Sequence, residues 1–352
     1  MVIITLIKIG KKSIGKNSQT FIIAEAGVNY NNDLKIAFKM IDHAKRAGAD
    51  AIKFQTFVTE LIQLPSTRKP NYQKSIKSKT YFEILKNLEP NFTDQRKIAN
   101  YCKKKNILFL STPYDKTSVD FLESINILAY KIASSDLSNH MLLEYICKKR
   151  KPIILSTGLS NFDDVVDTVN FLKKLKMLKN LILLHTTSDY PTKPLDVNLR
   201  VIPKLSESFN VLTGFSDHTR DDVASLGAVA LGACVIEKHF TLNRTLPGPD
   251  QSSSIEPDEL TSFIKKIRIL EKSLGSQTKK ITRSERKNMS MKKVLVIKPA
   301  IKGCLVTNSM LISLRANGKV LPTNINLKKI IGKKLLKTIL SPSPFTWSMI
   351  KN

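Results

Sequence analysis

The stretch FIIAEAGVNYNNDLKIAFKMIDHAKRAGADAIKFQTF, residues 21–57, contains the pattern that decides the fold. A short apolar run from Phe21 to Ala24 has the length of a strand. Asp33 is a typical helix-capping residue, the apolar residues after it recur at helical spacing, and Gly48 ends the helix. Because a second apolar run follows at Ala51 to Phe54, the stretch predicts a strand–helix–strand unit of a parallel sheet.

The same alternation repeats along the chain. Further strands are predicted at residues 108–110, 129–132, 152–155, 181–185, 211–215 and 234–239. Helices are predicted at residues 94–105, 116–124, 140–148, 162–174, 198–206, 221–231 and 257–274. Together with the opening unit this makes eight strands, the number that closes an α/β barrel of the (β/α)8 TIM type. A doubly wound open sheet is the alternative, and the eighth strand with its final helix favours the barrel.

Three segments lie outside this alternation. Residues 1–20 are expected to form a short hairpin or cap, and the long polar segment 58–91 is expected to lie above the strand ends as a lid. Residues 276–292 are polar and charged and indicate a linker between a barrel domain at 1–275 and a small domain at 293–352. Because a domain of about 60 residues has a marginal core of its own, we expect the small domain to pack on another surface.

The composition is typical of a globular protein. Hydrophobic residues make up 42% of the 352 residues, and no apolar run approaches the roughly 20 residues that span a bilayer. The chain begins with an apolar run before its first lysines, the reverse of a secretory signal. The four cysteines form no close pair, which predicts reduced thiols and a cytoplasmic location. The lack of a long apolar run predicts no membrane partner.

The formal net charge of +28 is extreme. One interpretation is a polyanionic partner such as nucleic acid. The lysines are spread along the chain in small runs such as 103–105 and 148–151, however, and no nucleic-acid-binding motif accompanies them. We therefore expect a solvated basic surface and no specific nucleic-acid partner. An anionic substrate needs only a few positive groups in a cleft, so it does not account for the whole charge.

Charged side chains stand where predicted strands end, which is where a barrel keeps its chemistry. Lys53 and Lys131 belong to apolar strands, where an unpaired ammonium group is costly. A salt-bridged lysine is the structural alternative, but two such lysines beside strand-end hydroxyl groups favour an anion pocket. Glu25 follows a buried strand, where burial raises a carboxyl pKa. His218 and His239 end neighbouring strands and could ligate one metal ion, although such a pair is more often structural.

Ordered motifs along the chain resemble the sialic acid synthase family, whose enzymes condense phosphoenolpyruvate with an N-acetylated sugar. Beyond the opening stretch, the resemblance is carried by STP (Ser111–Pro113), YKIASSDLSN (Tyr130–Asn139), STG (Ser156–Gly158), HTTSDYPT (His185–Thr192), GFSDHT (Gly214–Thr219), and EKHFT with LPGPD (Glu237–Asp250). A weaker similarity continues to Trp347, so the resemblance covers nearly the whole chain.

The resemblance implies a transferase that joins phosphoenolpyruvate to an open-chain, N-acetylmannosamine-like hexosamine. It implies Glu25 and Asp250 as catalytic carboxylates. It also implies His218 and His239 as ligands of Mn²⁺ or Mg²⁺, which would act as a Lewis acid on the sugar aldehyde. The residues implied for binding phosphoenolpyruvate are Lys53, Thr112, Lys131, Ser134, Ser156, Ser188 and Ser216. Those implied for binding the sugar are Gln55, Asp136, Tyr190 and Arg315.

The small C-terminal domain resembles the antifreeze-like (SAF) domain that closes the chains of this family. The resemblance implies a domain-swapped homodimer in which Arg315 of one chain reaches the N-acetyl group of the sugar in the barrel of the other. An arginine in a small domain is ordinarily solvent-facing. The resemblance nevertheless makes Arg315 the main link that the sequence offers between the small domain and the active site.

Some residues depart from the usual family pattern. NYNN at residues 29–32 replaces Asn-His-Asn-Gly, Gln251 replaces a His, Thr186 a Cys and Ala316 a Pro. These changes leave the metal and phosphate positions intact and alter the sugar side, so they bear on the acceptor sugar more than on the reaction type. A legionaminic or pseudaminic acid synthase with a diacetamido-hexose acceptor is therefore an alternative, and AEAG at residues 24–27 fits the sialic and legionaminic branches. An inactive basic binding protein on the same fold is a further alternative.

Overall fold

The computed structural model of the protein describes residues 6–69 and 80–351. The chain divides into two compact units, Met1–Gly275 and Ser276–Asn352. The strands of the first unit are β1 (Ile7–Ile9), β2 (Lys12–Ile14), β3 (Phe21–Gly27), β4 (Ala51–Thr56), β5 (Leu108–Pro113), β6 (Tyr130–Ile132), β7 (Ile153–Ser156), β8 (Leu181–His185), β9 (Leu212–Asp217) and β10 (Val235–His239).

The strands from β3 to β10 are parallel and form a barrel. Their spatial order is β5-β4-β3-β10-β9-β8-β7-β6, and the edge strands β5 and β6 lie side by side, so the sheet nearly closes on itself. The interior is filled by strand side chains, as in a TIM barrel. The predicted (β/α)8 fold is confirmed, and the open doubly wound sheet is excluded.

Helices alternate with these strands. They are α1 (Leu34–Ala47), α2 (Thr59–Ile62), α3 (Tyr81–Leu88), α4 (Phe92–Lys105), α5 (Lys116–Ser124), α6 (His140–Cys147), α7 (Phe162–Lys174), α8 (Val201–Phe209), α9 (Val223–Ala230) and α10 (Pro257–Leu274). The first helix has the predicted ends: the Asp33 side chain accepts from the backbone N–H groups of Lys35 and Ile36, and Gly48 ends the helix with a φ of 91°.

The hairpin β1–β2 closes one end of the barrel. Its strands pair in antiparallel orientation, and Ile7, Ile9 and Ile14 are buried with residues at the beginning of barrel strands, such as Phe21 and Ala51. The predicted hairpin is therefore present, although residues 1–5 lie outside the described part of the chain. Because the hairpin covers the end where the strands begin, the opposite end is left for a site.

Two boundaries differ from the prediction. Strand β3 does not end after Ala24, because Glu25 and Gly27 continue to pair with β4 across an irregularity in register. Helix α8 begins at Val201, three residues later than expected. Pro203 has no backbone N–H and is tolerated only in the first turn of a helix, so a helix that began at residue 198 would place it too far inside.

The second unit contains its own small sheet. Its elements are α11 (Arg283–Lys287), β11 (Lys293–Ile297), β12 (Leu311–Arg315), α12 (Asn324–Ile330) and β13 (Ser343–Pro344). The order β12-β11-β13 is antiparallel throughout. A cluster that includes Leu295, Ile330 and Phe345 forms its core. The predicted linker is not irregular throughout, because Thr282 and Glu285 form a capping box that starts α11.

Positive charge is concentrated in the second unit. Residues 276–352 carry 17 basic residues and one acidic residue, so positive charge is less evenly spread along the chain than expected. All four cysteines are free thiols in the described part of the chain, as predicted. None of the described helices is long and apolar enough to cross a membrane.

Candidate active site

A cavity of about 790 Å³ opens at the end of the barrel where the strands terminate. All fourteen barrel residues that the sequence predicts for the site line this cavity. The strand register explains their convergence, because Glu25 pairs with Lys53 on one side and with His239 on the other, while Gln55 pairs with Thr112. The structure thus brings the predicted barrel residues together.

Lys53 lies at the bottom of the cavity among buried polar atoms. Its Nζ is 2.8 Å from Oε1 of Glu25 and 3.7 Å from Oε2 of Glu237, and it donates to Oγ1 of Thr112 at 3.1 Å. Burial alone would lower the pKa of Lys53, but the carboxylates of Glu237 and Glu25 raise it above its ordinary value. Lys53 therefore stays charged inside an apolar strand because it is paired.

Lys131 supplies a second buried ammonium group. Its Nζ donates to Oγ of Ser156 at 2.7 Å and lies 3.5 Å from Oε1 of Glu237. Burial lowers the pKa of Lys131, and the opposing attraction of Glu237 does not cancel that effect. Lys131 and Lys53 thus share the carboxylate of Glu237, and Glu25 is the second carboxyl group beside Lys53.

Glu237 also belongs to the site, although it is not among the residues predicted from the sequence. It precedes His239 by two residues on β10, so both face the cavity. Its Oε1 accepts a hydrogen bond from Oγ of Ser216 at 2.8 Å. Burial raises the pKa of Glu237, but Lys131 and Lys53 outweigh burial and hold it well below its ordinary value. The period of two along β10 was the pattern that could have identified it.

We call Glu25, Lys53, Lys131 and Glu237 the charged floor. Burial raises the pKa of Glu25 although Lys53 opposes the shift, and Oε2 of Glu25 has no hydrogen-bond partner among the described residues. Burial also raises the pKa of Asp250 to about 6, again against Lys53. Carboxyl groups that titrate closer to neutral pH can exchange protons during a reaction, so both residues suit the catalytic roles predicted for them.

His218 and His239 lie next to each other in the cavity, with ring centroids 5.4 Å apart. Burial lowers the pKa of His218 to about 4 and also lowers that of His239 well below its ordinary value. Both imidazoles are therefore neutral at pH 7. The neutral ring is the form that binds a metal ion.

The hydrogen bonds of the two rings indicate which nitrogens are available. Nδ1 of His218 is 2.7 Å from the carbonyl oxygen of Thr187, so it carries the proton and Nε2 keeps its lone pair. Nδ1 of His239 is buried without a hydrogen-bond partner in the described part of the chain and lies 4.0 Å from Oδ2 of Asp250. The two rings fit a divalent ion, although the described residues contain no group of three or more His, Cys, Asp or Glu that could hold one.

Hydroxyl groups gather around Gly158. Its backbone N–H donates to Oγ of Ser134 at 3.0 Å. A Cβ atom at this position would lie 2.8 Å from Oγ of Ser134 and would collide with Oγ of Ser188. Only a glycine therefore lets both hydroxyl groups approach. Together with Lys131 and Ser156, they form a compact polar pocket suited to an anion.

The other predicted residues have distinct surroundings. Asp136 accepts from Nδ2 of Asn139 at 2.8 Å, and burial raises the pKa of Asp136. The Tyr190 ring lies 4.2 Å from the His218 ring, measured between centroids. Gln55 is half-buried and lines the same cavity.

One wall of the cavity is apolar. It is formed by Leu61 of α2 and by Tyr81, Ile84, Leu85 and Leu88 of α3, and we call these five residues the apolar wall. They belong to the segment predicted as a polar lid, so its described part has a different character from the one expected. Residues 70–79 of that predicted lid lie outside the described residues.

The sequence matches the NeuB family over residues 40–279. The chain belongs to the NeuB family. It is 36% identical to the N,N'-diacetyllegionaminic acid synthase of Legionella pneumophila over 97% of this chain and 98% of that protein. It is 34% identical to the N-acetylneuraminate-9-phosphate synthase of Homo sapiens over 96% of this chain and 95% of that protein.

A solved structure agrees with this assignment. The crystal structure of the N-acetylneuraminic acid synthetase of Leptospira borgpetersenii is similar to this chain, with a TM-score of 0.72 and 36% identity, over 81% of this chain and 95% of that chain. The resemblance to sialic acid synthases that the motifs indicated is therefore confirmed.

Two departures from the NeuB pattern can be placed. Gln251 does not line the cavity; its Nε2 donates to the carbonyl oxygen of Asn29 at 2.8 Å, and its Oε1 accepts from Thr241. Gln251 thus ties the loop after β10 to the loop after β3. Thr186 does line the cavity, and its hydroxyl donates to the carbonyl oxygen of Ser216 at 2.8 Å. Only one of these two changes therefore reaches the cavity surface.

Arg315 is the one predicted site residue outside the barrel. It ends β12 in the second unit, where it is exposed and pairs in register with Lys293. Its role in a NeuB site stays a prediction, as does the assignment of the second unit as an antifreeze-like domain.

Proposed function

We propose that this NeuB-family chain is a nonulosonic acid synthase that condenses phosphoenolpyruvate with the open-chain form of an N-acetylated hexosamine. C3 of phosphoenolpyruvate attacks the aldehyde carbon, water adds at C2, and phosphate leaves by cleavage of its bond to C2. The products are a 2-keto-3-deoxy nonulosonic acid and inorganic phosphate. The relatives named as synthases of diacetyllegionaminic acid and of N-acetylneuraminate 9-phosphate support this reaction class.

The observation that carries the proposal is the pair of buried ammonium groups on either side of Glu237. When Glu25 holds a proton, Lys53 and Lys131 face a single carboxylate, so the charged floor has an excess of positive charge. Phosphoenolpyruvate offers a phosphate and a carboxylate close together, which suits two ammonium groups lined by hydroxyl donors. The excess charge would also stabilise the departing phosphate in a site with little water.

Glu25 and Asp250, the two catalytic candidates, are assigned to different substrates. Glu25 touches Lys53, so we assign it to proton exchange at the phosphoenolpyruvate end. Asp250 lies beside His239. Burial raises the pKa of Tyr81 in the apolar wall, and the charge of Asp250 adds to that shift. We therefore assign Asp250 to the sugar end, where the aldehyde oxygen must gain a proton.

Synthases of this family are metal-dependent in general, and we propose that His218 and His239 hold Mn²⁺ or Mg²⁺. The neutral rings and the unpartnered Nδ1 of His239 support this assignment. A bound ion would act as a Lewis acid on the sugar aldehyde. The protein residues position both substrates around that oxygen and limit the access of water.

The first candidate for the acceptor is an N-acetylmannosamine-like hexosamine. A diacetamido-hexose, as used for legionaminic or pseudaminic acid, is a second candidate that the apolar wall favours, because a second N-acetyl group adds a methyl group to bury. An inactive binding protein is the least favoured alternative, since the charged floor and the histidine pair occur together.

The proposed reaction can be tested directly. Purified protein is incubated with phosphoenolpyruvate, Mn²⁺ and either N-acetylmannosamine or a diacetamido-hexose, and both phosphate release and the 2-keto acid are measured. We expect release that requires an acceptor and a metal and that is lost in His218→Ala, with the fold retained by circular dichroism. No acceptor-dependent release with any hexosamine would overturn the proposed function.

We further propose that Arg315 completes the sugar site of a partner chain in a homodimer. Its planar guanidinium suits an amide carbonyl and hydroxyl groups, and a unit of this size has a limited core. Arg315→Ala and Glu25→Ala are each expected to be inactive. After verified subunit exchange, mixed dimers should recover about a quarter of wild-type activity, because half of the dimers are mixed and one of their two sites is intact. Exchange without recovery would contradict the assignment in trans.

A further inference from the structure

A buried ion pair, Asp217 and Lys238, lies behind the two histidines, and the proposed reaction gives it no role. Asp217 and Lys238 are neighbours in the register of β9 and β10 and are buried, yet neither lines the cavity. Successive side chains of a strand point to opposite faces, so the histidines that follow each of them face the cavity while this pair faces the helices. Lys238 Nζ accordingly lies 5.8 Å from the centre of the Phe263 ring on α10.

Every hydrogen-bonding group of the pair is used. Lys238 donates to Oδ2 of Asp217 at 2.8 Å and to the carbonyl oxygens of Thr219 and Asp221, both at 2.9 Å. Oδ2 of Asp217 also accepts from Oγ of Ser225 at 2.6 Å. Its Oδ1 accepts from the backbone N–H and the hydroxyl of Thr219 at 2.8 and 2.7 Å. The pair thus fixes both the end of β9 and the turn that follows it.

This network surrounds the backbone of His218. The residues on either side of His218, Asp217 and Thr219, are bonded to each other and to Lys238. The carbonyl oxygen of His218 accepts from the backbone N–H of Thr192 at 2.9 Å. Since Lys238 immediately precedes His239, one ion pair joins the two strand ends that carry the histidines.

We propose that Asp217 and Lys238 are positioning residues that hold His218 and His239 at the separation a divalent cation requires. This inference rests on the proposed metal role of the two histidines. Two ligands on separate strands bind an ion well only if their separation is fixed beforehand, and groups behind the ligands commonly supply that constraint. The alternative is that the pair only stabilises the barrel.

The two roles predict different results in a metal titration. Metal-free, full-length protein is titrated with Mn²⁺, and free Mn²⁺ is followed by electron paramagnetic resonance without either substrate. The test variant Asp217→Leu/Lys238→Met removes both charges together, since removal of one partner would leave a lone buried charge. The control Glu123→Gln/Lys151→Met removes a partly exposed ion pair with a separation of 2.6 Å. This pair joins α5 to the segment before β7, and neither residue lines the cavity.

We expect the Asp217→Leu/Lys238→Met variant to bind Mn²⁺ about 10- to 100-fold more weakly, a typical effect of residues behind a metal ligand. The control should bind as the wild type does. Ser225→Ala removes one hydrogen bond to Asp217 and should weaken Mn²⁺ binding a few-fold. This variant provides the test if the double variant does not fold. Circular dichroism and Tm are recorded for every variant.

Two outcomes would overturn the inference in distinguishable ways. Unchanged Mn²⁺ affinity with a lowered Tm in the Asp217 and Ser225 variants would make the pair a structural element only, while the metal assignment would stand. Equal Mn²⁺ affinity of the wild type and His218→Ala would overturn the metal assignment itself, and with it the positioning role.

Discussion

The charged floor and the apolar wall of the cavity are built in opposite ways. The floor consists of titratable groups on four strands, each paired with at least one neighbour and almost excluded from solvent. The wall consists of side chains on two short helices, several of them partly exposed. Strand-borne groups are held by the register, whereas short helices in a connecting segment are less constrained. Under the proposed function, the floor meets the invariant substrate and the wall meets the acceptor.

The largest effect should come from breaking the floor. Lys131→Met removes one of two ammonium groups and leaves Ser156 without its donor. We expect kcat/KM to fall by about 10³-fold or more, in line with the loss of a buried group that stabilises developing charge. Steady-state phosphate release measures the effect. Lys149→Met, a change on the outer surface, is the matched control, and a loss of less than about tenfold at Lys131 would contradict the anion-binding role of the floor.

A smaller effect is expected at the edge of the floor. Gly158→Ala places a methyl group against the hydroxyl groups of Ser134 and Ser188, so both must move. We expect the KM for phosphoenolpyruvate to rise about 10- to 100-fold, consistent with the cost of misplacing groups that orient a substrate. The KM for the acceptor should change less. If the acceptor KM alone changes, these hydroxyl groups belong to the sugar site.

A still smaller effect is expected in the wall. Leu85→Ser removes apolar contact area but no charge, so we expect a rise of only a few-fold in the KM for the acceptor, from about 1 kcal/mol of lost burial. The KM for phosphoenolpyruvate should not change. Leu195→Ser, at a side chain that is 93% exposed, provides the control. Equal increases in the KM values for both substrates would contradict the proposal that the wall contacts the acceptor and the floor contacts phosphoenolpyruvate.

The smallest effect concerns Asp250 and appears as a pH dependence of stability. Burial raises the pKa of Asp250 from 3.8 to about 6, so the folded protein binds this proton more tightly than the unfolded chain does. The free energy of unfolding should therefore fall as the pH rises through that window. Asp250→Asn removes this titration. As the pH rises between these values in metal-free buffer, the Tm of the variant should therefore increase relative to the Tm of the wild type. A constant Tm difference would contradict a raised pKa.

Much of this architecture could be predicted because it depends on local chemistry. The apolar runs, the Asp33 cap and the Gly48 stop are properties of a few adjacent residues, and the structure has them where expected. Strand-end positions of Lys53 and Lys131 follow from those runs. The start of α8 was misplaced because helical spacing was given more weight than the fixed backbone of Pro203.

Other features depend on partners distant in the chain. Glu237 becomes informative only when Lys53 and Lys131 are known to flank it. The ion pair of Asp217 and Lys238 likewise requires the register of two strands. The apolar wall was missed because α3 is short and its surrounding segment is polar overall. The cytoplasmic location, the dimer and the role of Arg315 stay predictions.

The hairpin that closes the N-terminal end of the barrel also determines the order of events in the cavity. Because Ile7, Ile9 and Ile14 fill that end, the described residues leave the cavity open at the opposite end, where the substrates and products of the proposed reaction would both pass. Under the proposed function, phosphoenolpyruvate on the charged floor would enter before the acceptor, and phosphate would leave after the sugar acid. Binding should then follow a compulsory sequence, and a slowly departing sugar acid would keep phosphate trapped behind it.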